Sequence, residues 1–266
     1  MFRVAMIGSG FVAKQHALAY QTLPGVELAA IVNPYPEAAA DLVNKFACKY
    51  YATLDEAVKE QKIDIADVCA PTFLHEQYVI QAAKAGCHVL CEKPVTFTLE
   101  SFDRMTAACR DNKVMFMVAQ VARWWPEFVS IKEYLKNDKL GKVQMIYEKR
   151  LCQLPPWSVW HRDPKKSGGG LYDLNIHDID FLLSIYGKPK SVYAIGWKTD
   201  QGCWMHVASN LVWENGVKAV VETCLEMLEH WPFSIEFRGT GEKGTLHYAL
   251  QAGVNIADGE HGSDFV

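Results

Sequence analysis

A chain of 266 residues, half of them hydrophobic, 22% charged and 12% aromatic, has a globular composition and enough length to bury a core without disulfide or metal staples. Its 27 Lys+Arg against 31 Asp+Glu give a formal charge of −4, which excludes an overall basic footprint for nucleic acid or an anionic membrane. No apolar run reaches the roughly 18 residues of a membrane span, and the apolar start at Val4 to Ile7 is too short for a signal-peptide core, so a cytoplasmic protein is expected.

Up to residue 122 the chain alternates short β-branched runs with helical patterns, which predicts a parallel sheet with crossover helices. Strands are expected at Arg3 to Ile7, Glu27 to Val32, Ile65 to Cys69, His88 to Cys91 and Val114 to Val121. Helices are expected at Val12 to Thr22, Pro36 to Phe46, Leu54 to Glu60, His75 to Ala85 and Glu100 to Asn112. Thr53, with Glu56 three residues on, carries the signature of a capping box. From residue 123 the pattern changes. A helix at Pro126 to Asn137 leads into a long strand at Val143 to Gln153, and a helix at Leu171 to Ile185 follows a glycine triplet. Strands then run from Ser191 to Trp197, Met205 to Trp213, Val217 to Met227, Phe233 to Arg238 and Gly244 to Ala249, with Glu214-Asn215-Gly216 as one of the turns. This predicts a second, α+β domain with a largely antiparallel sheet over residues 123–266. The eight cysteines form no Cys-x-x-Cys pair and mostly sit in apolar stretches, as expected of buried, reduced thiols.

Gly8-Ser9-Gly10-Phe11-Val12-Ala13 lies where the first strand turns into the first helix, the place where a Rossmann fold holds a dinucleotide pyrophosphate. Gly8 permits the tight turn, Gly10 lets backbone approach phosphate, and the helix N-terminus meets the negative charge. The competing reading is an ordinary glycine turn. At the end of the second strand, where an acidic residue for the ribose hydroxyls is common, stands Asn33. Asparagine can hydrogen-bond ribose but does not repel a 2′-phosphate, and no Arg or Lys stands beside it to bind one. NAD is expected, with NADP left open. Lys93, in Glu92-Lys93-Pro94, emerges at the carboxyl end of the sheet, where it can stabilise a developing oxyanion or be a solvated surface lysine. In Gly168-Gly169-Gly170-Leu171-Tyr172-Asp173-Leu174-Asn175-Ile176-His177-Asp178-Ile179-Asp180, helical spacing puts Asp173, His177 and Asp180 on one stripe. A carboxylate against imidazole suits a general base, or makes a structural contact. No third ligand for a metal is evident there, and none is expected. Trp124, Trp125, Trp157 and Trp160 flank Arg123, His161 and Arg162, as core and interface anchors or as stacking faces for carbohydrate.

Taken together, Gly-x-Gly-x-x-Ala, Glu-Lys-Pro and Gly-Gly with a downstream Asp-x-x-x-His-x-x-Asp resemble the glucose-fructose oxidoreductase and inositol dehydrogenase family (Gfo/Idh/MocA). His16, the run Ala70-Pro71-Thr72-Phe73-Leu74-His75, and Arg123-Trp124-Trp125-Pro126-Glu127 extend the similarity from Met1 to about Tyr248. The resemblance implies an N-terminal Rossmann domain with a doubly wound parallel sheet (1–122) and a C-terminal α+β domain whose largely antiparallel open sheet serves substrate binding and oligomer contacts (123–266), as a homodimer or homotetramer. It further implies an NAD(P)-dependent oxidoreductase of sugars or cyclitols in which Lys93 positions the reacting hydroxyl, His177 takes its proton and Asp173 orients His177. Gly8, Ser9, Gly10, Phe11 and Val12 are then expected at the pyrophosphate and Asn33 at the ribose. Thr72, His75, Glu92 and Lys93 fall near the nicotinamide half, and Arg123, Trp160 and His161 near substrate. An NAD-dependent glycosidase using transient oxidation and a non-catalytic nucleotide sensor are the rival functions. The polar tail Asp258 to Val266 stops short of the further sheet and terminal helix usual in relatives, as expected of either a short variant or a shortened product.

Overall fold

The computed structural model describes residues 1–154 and 160–253 and the backbone of Gly262–Phe265; Trp157 and most of the polar tail lie outside the described residues. The chain divides into two units, Met1–Ala119 and Gln120–Val266.

In the first unit, β1 (Phe2–Ile7), β2 (Val26–Val32), β3 (Lys49–Tyr51), β4 (Ile65–Val68), β5 (His88–Glu92) and β6 (Phe116–Ala119) alternate with α1 (Phe11–Thr22), α2 (Pro36–Phe46), α3 (Leu54–Glu60), α4 (His75–Lys84) and α5 (Leu99–Asp111). All neighbouring strands pair in parallel, in the order β3-β2-β1-β4-β5-β6, so the strand order reverses between β1 and β4, where doubly wound sheets bind ligands. Near-continuous apolar strands fit because both faces are covered: Ala5, Ile7, Ala30 and Val68 belong to one core cluster, Met6 and Ile31 to another. β3 is not anticipated from sequence, since three residues are too few to show a period of two. The capping box forms: Thr53 Oγ1 accepts from the Glu56 N–H, and the Glu56 carboxylate accepts from the Thr53 N–H. Thr53→Ala should cost about 1 kcal/mol, read as a lower midpoint in urea unfolding with an unchanged slope.

In the second unit, α6 (Pro126–Lys136), β7 (Val143–Gln153), α7 (Gly170–Asp173) and α8 (Asn175–Tyr186) precede β8 (Ser191–Lys198), β9 (Trp204–Val212), β10 (Lys218–Met227), β11 (Ser234–Gly241), β12 (Thr245–Gln251) and β13 (Gly262–Phe265). The sheet order is β13-β12-β11-β7-β10-β9-β8, antiparallel except for the parallel pair β7 and β10. Phe128 of α6 and Phe181 of α8 meet edge to face, ring centroids 4.8 Å apart, with Phe237 and Tyr248 of the sheet beside them. Two expectations are corrected. The single helix over Leu171 to Ile185 is two helices, broken at Leu174 (φ −108°, ψ −50°). The polar tail contains a strand, β13, which pairs with the edge of β12; Gly-Ser-Asp-Phe has little strand propensity of its own, so the strand is not legible from local pattern. Among the described residues, no helix is long and apolar enough to cross a membrane.

Candidate active site

In the first unit, the turn from β1 to α1 carries the cofactor candidates. Gly8 has φ +112°, and a Cβ there would lie 2.5 Å from the Cys69 carbonyl oxygen, so both the conformation and the contact with the end of β4 require glycine. Gly10 is exposed, and a Cβ on it would meet no protein atom within 4 Å; nothing in the protein's own packing calls for glycine there. Gly10 is also the N-cap of α1, with no side-chain cap and no acidic residue in the first turn. The free N–H groups of that turn and the positive end of the helix dipole therefore face outward uncompensated. This cradle fits a pyrophosphate. Phe11 is exposed and Val12 half-buried on the first turn. Asn33 ties the loop together: its Nδ2 donates to Ser9 Oγ (2.8 Å) and its Oδ1 accepts from the Tyr35 N–H (2.9 Å).

Lys93 is half-buried directly after β5, and the Lys93–Pro94 peptide is cis. His75, buried at the start of α4, places Nε2 2.8 Å from the Ala70 carbonyl and Nδ1 3.0 Å from that of Pro94, stitching the loops after β4 and β5 to each other. Burial lowers its pKa despite those carbonyls. Thr72 is buried in the short 3₁₀ turn Thr72–Leu74. Glu92, also buried, accepts the Lys93 N–H through Oε2 (3.0 Å) and lies 3.1 Å from His16 Nε2 through Oε1.

In the second unit, the glycine triplet has a packing cause: Gly169 adopts φ +72°, and a Cβ on it would stand 2.5 Å from the Trp204 carbonyl at the start of β9. Asp173 ends α7, with Oδ2 3.8 Å from His161 Nε2. Trp160 stacks on His161 at 4.2 Å between centroids, so three of the predicted residues come together. His177 is buried in the first turn of α8, its N–H donating to the Leu174 carbonyl. The helical stripe from Asp173 to His177 crosses the break at Leu174, and Asp180 is engaged elsewhere: it accepts both Nε and Nη2 of Arg123, at 2.6 and 2.7 Å. Trp124 is exposed and Trp125 packs against the core.

The contacts that hold α8 are not among the residues that the sequence pattern singles out. On either side of His177, Asn175 Nδ2 donates to Thr223 Oγ1 of β10 (2.9 Å), and Asp178 accepts Arg150 of β7 (2.6 Å), both buried. Glu148, fully buried two residues before Arg150, has its carboxyl pushed well above the usual range by burial and by the charge of Asp178, against the pull of Arg150. The signal was Glu148 and Arg150 alternating on a strand whose other inward positions are apolar; a buried charge demands a partner. Cys48 and Cys69 are half-buried and the other six cysteines buried.

Comparison with known proteins places both units. Residues 2–120 match the model for an oxidoreductase family with an NAD-binding Rossmann fold, and residues 128–247 match the GFO/IDH/MocA C-terminal domain. An inositol 2-dehydrogenase of Rhizobium meliloti is 26% identical over 96% of this chain and 77% of its own length. A D-glucoside 3-dehydrogenase of Escherichia coli is 31% identical over 72% of this chain and 56% of its own length. The crystal structure of the WlbA dehydrogenase from Bordetella pertussis, in complex with NADH and UDP-GlcNAcA, shares the fold with a TM-score of 0.83 at 23% identity, over 93% of this chain and 73% of that one. With an NAD-binding Rossmann unit and the matching C-terminal domain in one chain, the protein belongs to the Gfo/Idh/MocA oxidoreductase family.

Proposed function

We propose that the protein is a cytoplasmic dehydrogenase that moves a hydride between nicotinamide and a secondary alcohol or ketone of a sugar or cyclitol. The observation that carries this reading is Lys93, half-buried at the carboxyl end of β5, where open α/β sheets bind their ligands. The names of the relatives, an inositol and a glucoside dehydrogenase, support the substrate class.

Lys93 donates to the reacting oxygen and stabilises the negative charge that grows on it. His177 takes the hydroxyl proton, and Asp173 orients the imidazole. NAD, when bound, supplies the hydride acceptor. Backbone N–H groups from Gly8 to Val12 hold the pyrophosphate, Asn33 the ribose, and Thr72, His75 and Glu92 shape the nicotinamide side. His75 does so through the loops it joins, both ring nitrogens facing carbonyls. Trp160 and His161 offer a stacked face to a sugar ring, and Arg123 reaches substrate with the donors that Asp180 does not take. Self-association as a homodimer or homotetramer is part of the same reading; β8 supports it, with Val192, Tyr193, Ile195 and Trp197 all exposed along its length.

Asn33→Asp should preserve catalysis with NAD and lower kcat/KM with NADP by about tenfold, because a carboxylate repels the 2′-phosphate; paired rate measurements with the two cofactors check it. The function itself is tested by following reduced nicotinamide with NAD and a panel of sugars, sugar acids and cyclitols, with products identified by mass spectrometry. A substrate-dependent rise with a matching ketone is expected. Cleaved glycoside with no net reduction would replace this reading with the glycosidase one, and cofactor binding without any turnover would favour a sensor.

A further inference from the structure

Apart from Glu92, the side chains around His16 have no role in the reading above. His16, on the second turn of α1, lies between two carboxylates: Nδ1 is 2.9 Å from Asp67 Oδ2 and Nε2 is 3.1 Å from Glu92 Oε1. A neutral imidazole has one N–H to donate, whereas the doubly protonated ring has two and suits an acceptor on each side. Asp67, wholly buried in β4, also accepts from Tyr20 Oη (2.8 Å), and Cys69 Sγ is 3.5 Å from its other oxygen. Glu92 ends β5, and its remaining oxygen accepts the Lys93 N–H at 3.0 Å. One carboxylate thus links the His16 ring to the backbone of Lys93 itself.

We propose that His16 is a positioning residue: its imidazolium bridges Asp67 and Glu92 and, through Glu92, fixes the direction in which Lys93 leaves β5. The inference rests on the proposed role of Lys93 and adds to it the device that aims the lysine. The groups facing the ring are Tyr20 on its own helix, Asp67 in β4 with Cys69 just after it, and Glu92 in β5; Cys91 and His75 lie within the field of Glu92. Burial opposes a charge on His16, but hydrogen bonds with Asp67, Cys69 and Glu92 and the charge of Asp67 outweigh it and raise the pKa well above the usual value. Burial and Asp67 push the Cys69 thiol up to about 12, so it faces the pair as a neutral group.

His16, Asp67 and Cys69 also bring three metal-binding atoms within 4.8 Å of one another. Tetrahedral zinc at about 2.0–2.1 Å from nitrogen and oxygen spaces them roughly 3.3 Å apart, wider than the 2.9 Å found here. A shared proton fits that distance better than an ion.

The test combines ¹⁵N-histidine NMR of the whole protein with the kinetics of His16→Gln. Two ring N–H signals from His16 are expected to persist above neutral pH. The variant should lose about 10- to 100-fold in kcat, the scale of a misplaced catalytic group, while KM for NAD stays within about threefold and Tm shifts little. A loss of fold would move all of these together. A ring that titrates near its ordinary value, or an Nδ1–H that zinc abolishes, overturns the imidazolium bridge without reference to Lys93. Full kcat in His16→Gln beside an inactive Lys93→Met overturns the positioning role. Full activity in Lys93→Met overturns the role of the lysine, and with it the purpose given to His16, whereas the two N–H signals report on His16 alone.

Discussion

Lys93→Met and His177→Ala are each expected to lower kcat by about 10²- to 10⁴-fold, the range for loss of a positioned acid–base group. Methionine keeps most of the lysine stem, so the half-buried packing after β5 is preserved. His177 is buried, and alanine there removes the ring without crowding its neighbours. Both proteins should therefore keep a wild-type circular dichroism spectrum and bind NAD within a few-fold of wild type. Asp173→Asn should fall less steeply, because the residue orients a base and does not itself take the proton. Stopped-flow traces of reduced nicotinamide separate the step affected: a slow hydride phase with unchanged cofactor binding is the expected pattern. Wild-type rates in either of the first two variants would remove that residue from the chemistry.

The largest expected effect on stability lies behind α8. Arg150→Met removes the cation that Asp178 and Glu148 share and leaves carboxyl groups buried without it, a change that costs about 3–5 kcal/mol. The loss should appear as a much lower urea midpoint, and it should spread to function because Asp178 adjoins His177. Glu148 adds a pH dependence. Its carboxyl is held well above the usual range, chiefly by burial, so the folded state keeps the proton that the unfolded chain releases. Its contribution is fully present below about pH 4.5, the range of an ordinary carboxyl, and is lost as pH rises through the folded-state value. Glu148→Gln, which never ionises, should match wild type near pH 4 and melt at a higher temperature near pH 8. Parallel melting curves for the two proteins across that range would contradict the burial account.

Regular alternation made most of the fold legible. Apolar runs such as Val4–Ile7 and Ala30–Val32 announce a sheet covered on both faces, and Pro36 and Thr53 mark helix starts by local stereochemistry that tertiary context does not override. What sequence reasoning missed has non-local causes. β13 exists because β12 offers it an edge. The break at Leu174 falls where the chain from the glycine triplet presses against β9. In the site, glycines and the Glu-Lys-Pro run could be found because their chemistry is local. The partners of Arg123, Asn175 and Asp178 lie 57, 48 and 28 residues away, and spacing along a helix says nothing about them. Asp67 was the signal passed over: an acid inside the apolar run Ile65-Ala66-Asp67-Val68, with its partner His16 51 residues earlier.

In the proposed reaction hydrogen passes from a carbinol carbon to nicotinamide. This transfer is tested most directly with a substrate from the active class carrying deuterium on that carbon, incubated with NAD and the protein, followed by mass spectrometry of both products. One deuterium is expected on the reduced nicotinamide for each ketone formed, and none of that transfer with Lys93→Met. Substrate turned over with its deuterium retained, or released to water with NAD unreduced, would contradict it.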